Sequence, residues 1–204
     1  MTTPRGLLPL FPLRTVLFPG GLLSLKVFEA RYLDLMGDCL RESRPFGVVA
    51  LNRGPEVRGA ADEVGFEAMG TMAELIDIDS QQPGILQVRC RGTHRFTRGE
   101  TTQRSDGLWM TAAQPVADDE VVLPDARLIG TVRGLANAIA TLKTQGAEPF
   151  LEPHLFDQAG WVANRWCEIL PISLAAKQKL MELPDPQVRL QLVDEFLRSK
   201  RVVT

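Results

Sequence analysis

The chain has 204 residues, 45% hydrophobic and 24% charged, with a formal net charge of -2. That is length for one large domain or two small lobes around a real core, with a composition ordinary for a soluble globular protein. Neither half is basic: up to Pro124 there are 13 Lys and Arg against 16 Asp and Glu, and beyond it 10 against 9, which speaks against the clustered positive charge that phosphate binding requires.

In chain order, Leu10 to Phe18 reads as extended. Pro12 lacks a backbone donor, so this strand is expected at an edge or with a break there. Pro19-Gly20-Gly21 is a turn signal, after which Leu23, Leu25 and Val27 alternate with Ser24 and Lys26 in the period of a half-buried strand. The period then changes. Phe28, Tyr32, Leu35, Met36 and Cys39 recur at helical spacing, predicting an amphipathic helix over Glu29 to Glu42 that ends before Pro45. Phe28 and Tyr32 are expected to pack onto the sheet. Gly37 inside that helix costs about 1 kcal/mol relative to Ala and suggests a close packing contact.

A β-rich run follows. Phe46 to Leu51 is a short apolar strand, and Asn52 to Glu63 a loop broken by Gly54, Pro55 and Gly59. Gly70 to Ile78 and Ile85 to Arg91 flank Asp79 to Gly84, predicting a hairpin with a longer loop. Arg95 to Arg98 and Leu108 to Val116 add two strands. Short strands with one inserted helix imply a small, strongly curved sheet or pseudo-barrel.

Val116 to Pro124 is acidic and Pro-bounded, and reads as a link between lobes; Asp118-Asp119-Glu120 within it reads as solvated. Beyond it the chain is helical. Leu128, Ile129, Val132, Leu135, Ala136 and Ile139 form one apolar stripe. Asp157 is the expected cap of a helix carrying Trp161 and Trp166, which Pro171 stops. Ser173 is the expected cap of the next, Leu174 to Leu183. Asp185-Pro186 is an N-cap followed by Pro at the first helical position, opening a helix with Val188, Leu192, Val193, Phe196 and Leu197 on its apolar side. The expected architecture is α+β: a β pseudo-barrel lobe with an inserted helix over residues 1–120, then a helical bundle over 121–204.

Few residues point to chemistry. Ser173 and Lys177 lie four apart, and a Ser–Lys pair can hydrolyse peptides, but a serine at a helix start is placed to cap backbone N–H groups. His94 and His154 are the only histidines, and neither lies in a zinc-ligand spacing. No cofactor or metal is expected. Cys39, Cys90 and Cys167 are odd in number, far apart and set among apolar neighbours, which reads as buried, reduced thiols of a cytoplasmic protein. No apolar run approaches the roughly 18 residues of a membrane span, and Pro9 and Pro12 interrupt the N-terminal apolar stretch, so no signal peptide is expected.

The segments "FPLRTVLFPG" (Phe11 to Gly20) and "FEARY" (Phe28 to Tyr32) resemble the start of the N-terminal domain of the Lon protease family. "GTHRF" (Gly92 to Phe96), "WVANRWCEILP" (Trp161 to Pro171) and "KQKLMELPDPQVRLQLV" (Lys177 to Val193) agree with it in order. The resemblance implies a PUA-like β lobe plus a helical lobe, and a role in recognising protein substrates; unfolded or misfolded polypeptide is the expected partner, with a separate protease or chaperone an open alternative beside it. The chain has no G-x-x-x-x-G-K-[ST] and nothing resembling the family's serine nucleophile segment, so binding without catalysis is expected. PUA-like sheets also occur in RNA-binding proteins, which keeps RNA binding as an alternative, and an enzyme of unknown chemistry is a further one.

The candidate peptide contacts are Trp109, Trp161, Trp166, His94 and Arg95. Trp161 and Trp166 are about 140° apart on one helix, so both cannot point straight into one core; burial of both between helices is the plainer reading. For "GTHRF" the plainer reading is a strand start after a turn at Gly92, with Phe96 buried and Arg95 exposed. In "FEARY", Glu29 and Arg31 either face a partner or, for Glu29, favour the helix N-terminus.

Overall fold

The structure is a computed structural model and describes residues 6–53 and 64–203. The predicted loop Asn52 to Glu63 lies mostly outside the described residues. The chain divides into two compact units, Met1–Ala117 and Asp118–Thr204.

The first unit is a β ring. Its elements are β1 (Leu8–Leu13), β2 (Leu22–Val27), α1 (Ala30–Glu42), β3 (Phe46–Arg53), β4 (Gly65–Phe66), β5 (Met69–Gln82), β6 (Ile85–Gln103) and β7 (Trp109–Pro115). Pairing runs β1–β7–β6–β5–β3 and returns from β3 to β1, which closes the ring; β4 hangs on β3 and β2 on β6. The β1–β3 ladder is parallel, and the others are antiparallel. Closure leaves β1 with two neighbours, so it is not an edge. Its ladder with β7 nonetheless stops at Leu10, before Pro12, while Pro12 lies opposite Val49 of β3. The missing donor therefore falls where the β7 ladder has already ended.

Alternation separates the apolar side chains into two clusters. Phe11 and Leu13 of β1 join Phe46 and Val48 of β3, Val27 of β2, and Tyr32, Leu35, Met36 and Cys39 of α1. Leu8 and Leu10 join Val49, Leu51, Phe66 and Phe96. A Cβ on Gly47 would stand 2.7 Å from Phe96 Cζ and 2.8 Å from Leu10 Cδ2, so this glycine makes room for the Phe96 ring. Gly37 has no such role: only Arg41 Nη1, 3.3 Å away, would meet its Cβ.

Two strands read as separate are one. β6 runs unbroken for 19 residues through Gly92. It keeps β5 on one side over most of its length, and on the other exchanges β2 (Leu86 to Arg91) for β7 (Phe96 to Gln103). Gly92 sits at this exchange. A Cβ there would lie 2.4 Å from the Phe18 carbonyl oxygen, so the residue permits a close backbone approach and makes no turn. The β5–β6 hairpin is tighter than read: Gln82 pairs with Ile85, leaving only Pro83-Gly84 at the tip. Gly84 at φ 75° follows Pro83, the residue order of a type II turn.

The second unit is helical: a 3-10 turn (Ala126–Leu128), then α2 (Ile129–Thr144), α3 (Ala159–Ile169), α4 (Leu174–Glu182) and α5 (Pro186–Ser199). Helix α3 is its centre, buried from Ala159 to Cys167. Ser173 caps α4 by accepting from the Ala176 N–H, and Asp185 caps α5 by accepting from Gln187 and Val188. Asp157 caps nothing; the α3 N-cap is Gln158, without a side-chain bond. Two stripes are rotated from expectation. On α2 the buried residues are Thr131 and Leu135, with Ile129 exposed, and on α5 Val188 and Leu192 are exposed while Leu190, Val193 and Leu197 are buried beside Arg189.

Within the acidic stretch Asp118 and Glu120 are exposed, as a solvated link requires, but Asp119 is not. Arg189, 1% exposed, makes a bidentate pair with Asp119 and also donates to Asn164 Oδ1 (3.0 Å) and to the Leu180 (2.9 Å) and Leu183 carbonyls. The Ala159 N–H donates to the Val122 carbonyl, and Gln187 bonds both Leu123 and Asp125. Residues 118–125 are thereby laced to α3 and α5. A bidentate carboxylate is what allows a buried guanidinium.

Candidate functional site

Strand β2 pairs with β6 alone, so among the described residues its other edge has no partner strand. The Gly92 N–H donates to the Gly21 carbonyl at 2.9 Å, in line with the β2–β6 register. Alternation of an antiparallel ladder then turns the backbone groups of Leu23, Leu25 and Val27 toward β6 and those of Leu22, Ser24 and Lys26 toward the open side. An open row of N–H and C=O groups is a template for another strand.

Beside this edge lies a groove of about 200 Å³. Phe11 and Leu13 of β1 and Leu25 and Val27 of β2 supply apolar wall, with Tyr32 and Phe28 at the helix end. The Tyr32 ring is stacked on Phe11, centroids 3.9 Å apart and planes 11° from parallel. Burial pushes the Tyr32 hydroxyl up to about 12 despite the neighbouring Arg31. Phe28 does not pack onto the sheet as expected; it is 53% exposed at the rim. Arg31 is buried: it donates to Glu29 Oε2 (2.8 Å) and to the Gly107 carbonyl (2.9 Å), and its guanidinium lies 4.6 Å from the Tyr32 ring centre. The "FEARY" segment thus fixes the end of the groove and ties α1 to the turn before β7.

The residues proposed from sequence are distributed differently. His94, Arg95 and Trp109 lie on β6 and β7 of the first unit, and Trp161 and Trp166 on α3 of the second. His94 is exposed. Arg95 is not: it is 3% exposed and donates to the Ala117 carbonyl at 3.0 Å, because β6 continues through this position and its side chain is used to hold the end of β7. Trp109 is half-buried, edge-on to Phe66 at 5.1 Å. Trp161 and Trp166 are both buried. Trp166 Nε1 donates to the Thr131 carbonyl at 3.0 Å, while Trp161 packs edge-on against Phe156 and Phe150.

Neither nucleophile candidate is set up for chemistry. The Ser173 hydroxyl is occupied as a cap, and Lys177 donates to the Glu168 carbonyl at 2.8 Å. The three thiols are free and buried, and burial pushes Cys39 up to about 11 and Cys90 and Cys167 up to about 12, far from the thiolate range. No group of three metal-ligating side chains occurs among the described residues. A second surface groove, about 400 Å³, lies between the 3-10 turn and α5; four of its charges are paired as Arg127–Asp125 (2.8 Å) and Arg198–Asp194 (2.7 Å), and Glu195 accepts from Gln191 at 3.3 Å. No helix of the described residues is long and apolar enough to cross a membrane.

Residues 7–199 match the family model of the ATP-dependent protease La (LON) substrate-binding domain. The chain belongs to this family. A Lon N-terminal domain protein from Xanthomonas campestris, known from a crystal structure, superposes with a TM-score of 0.72 at 32% identity, covering 92% of this chain and 96% of that one. The N-terminal domain of Lon protease from the Mycobacterium avium complex shares the fold, with a TM-score of 0.59 at 14% identity and coverage of 93% and 96%. Lon protease of Anaeromyxobacter dehalogenans and Lon protease 2 of Myxococcus xanthus are each 27% identical over nearly the whole chain. The chain spans about a quarter of the length of these curated relatives. What is matched is thus a Lon substrate-binding domain, and the ring with its inserted helix followed by helices is that domain's architecture. The groove residues were missed from sequence, although Lys26 in an alternating strand is a signal of an edge.

Proposed function

We propose that this Lon-type domain recognises unfolded polypeptides or exposed apolar segments without catalysing their breakdown, holding them as an added strand along β2. The observation that carries the reading is the unpartnered β2 edge directly beside an apolar groove. Backbone hydrogen bonds to an edge give sequence-tolerant affinity, and a pocket for alternate side chains gives selectivity. A separate protease or chaperone is the partner that would act on what is bound. Binding is weak, since each engaged segment is ordered at an entropic cost, and changes little with salt because few charges are involved.

The test titrates a reduced, unfolded model protein and a structured RNA, each at two salt concentrations, against the wild type and Ser24→Pro. Proline at this exposed position removes one outward N–H and leaves the β6 ladder in place. The unfolded protein should bind at both salts and lose affinity with Ser24→Pro, and no ATPase activity or casein cleavage should accompany it. Binding of the RNA alone, collapsing with salt, overturns the reading in favour of RNA recognition.

A further inference from the structure

We infer that the β2 edge prefers segments in which a large apolar residue stands directly beside an acidic one, with Lys26 reading the acid. This rests on the reading of the edge as the polypeptide site. The argument is geometric. A strand added to β2 presents successive side chains to opposite faces. A residue opposite Leu25 points to the face of Phe11, Leu13 and Tyr32, into a groove of about 200 Å³; apolar cavities of about 150 Å³ already admit a benzene-sized group. The next residue on either side points to the other face, to which alternation assigns the exposed side chains of Ser24 and Lys26, two residues that also border the groove along the strand edge.

That outer face is not electrically uniform. Lys26 lies opposite Gln87, and Ser24 and Leu22 lie opposite Arg89 and Arg91 of β6. The acidic partners of this face, Glu74, Asp77 and Asp79, are on β5, on the far side of β6. An incoming strand therefore meets Lys26 first and two arginines one strand further in, and the carboxylates only beyond them. Lys26 is exposed and forms no ion pair among the described residues. Glu29, which also lines the groove, is already engaged by Arg31 at 2.8 Å. Opposite charges facing each other across two strands are favourable, and like charges unfavourable.

The experiment measures fluorescence anisotropy of short labelled peptides, identical except for a central Phe-Asp, Phe-Lys or Ala-Asp pair, against the full chain. Wild type should bind the Phe-Asp peptide about two- to fivefold more tightly than Phe-Lys at low salt, with the gap closing at high salt and Ala-Asp weaker than Phe-Asp. Lys26→Glu should reverse the order of Phe-Asp and Phe-Lys, and Lys26→Gln should erase it. If peptides bind and Ser24→Pro weakens them, but Lys26→Glu leaves the order unchanged, the preference is overturned and the edge reading stands. If no peptide binds, or Ser24→Pro changes nothing, the edge reading falls and the preference with it.

Discussion

Asp119→Ala removes one carboxylate from beneath a guanidinium that is 1% exposed. Breaking a buried ion pair from one side typically costs about 3–5 kcal/mol, because the remaining charge is left uncompensated. Two features place this case at the lower end. The Asp119 side chain is 17% exposed, so solvent already screens part of the pair, and Arg189 keeps Asn164 Oδ1 and the Leu180 and Leu183 carbonyls as acceptors. The expected loss is about 3 kcal/mol. Urea unfolding followed by tryptophan fluorescence in a Trp109→Phe background measures it, since only Trp161 and Trp166, both on α3, then report. With a slope of about 1–2 kcal/mol per molar urea for a unit of this size, the midpoint should fall by roughly 2 M. Glu120→Ala, at an exposed position, should stay within about 0.5 kcal/mol of wild type. Adding Arg189→Met to Asp119→Ala should recover part of the loss, because no charge is then stranded. If Asp119→Ala behaves like Glu120→Ala, the acidic stretch is the solvated link that its composition suggests, and the lacing of residues 118–125 is wrong.

Two glycines should respond in opposite directions. Gly37→Ala should stabilise by up to about 1 kcal/mol in thermal or urea unfolding, since the new methyl meets only the flexible end of Arg41. Gly92→Ala drives a methyl against the Phe18 carbonyl and should cost about 2 kcal/mol or more, or abolish soluble expression. The Glu168 carboxyl, 2.6 Å from Arg165, is pushed by burial from 4.5 up to about 7. Between those values the folded chain holds a proton that the unfolded chain has released, so stability should fall as pH rises from about 4.5 to about 7. Urea midpoints across that range check the slope, and Glu168→Gln should flatten it; an unchanged slope in the variant assigns it to other groups.

Local chemistry was legible and long-range chemistry was not. Ser173, Asp185-Pro186 and the alternation of Leu23, Leu25 and Val27 each act within a few residues, and each element formed where those signals stand. Gly92 reads as a breaker because glycine frees the backbone; here it serves an approach by Phe18, a residue far away in sequence. The inward face of α5 was misread because hydropathy places arginine outside, whereas Arg189 is satisfied by Asp119, 70 residues upstream. The groove was invisible for the same reason. Its walls come from β1 and β2, and the β2 edge is open beside them because β2 pairs with β6 alone among the described residues.

Closing the ring through β1 gives the chain's first strand a peculiar schedule during synthesis. Leu10 can meet Gly47 once β3 has emerged, but Leu8 waits for Thr111 of β7, after the long β5–β6 hairpin is complete. A nascent chain that has reached β6 therefore carries a half-paired β1 and apolar side chains that have not yet found cover, and such intermediates are prone to aggregate. Once β7 docks, the beginning and the end of the β unit become each other's lock, and fraying of the first strand is tied to opening of the whole ring.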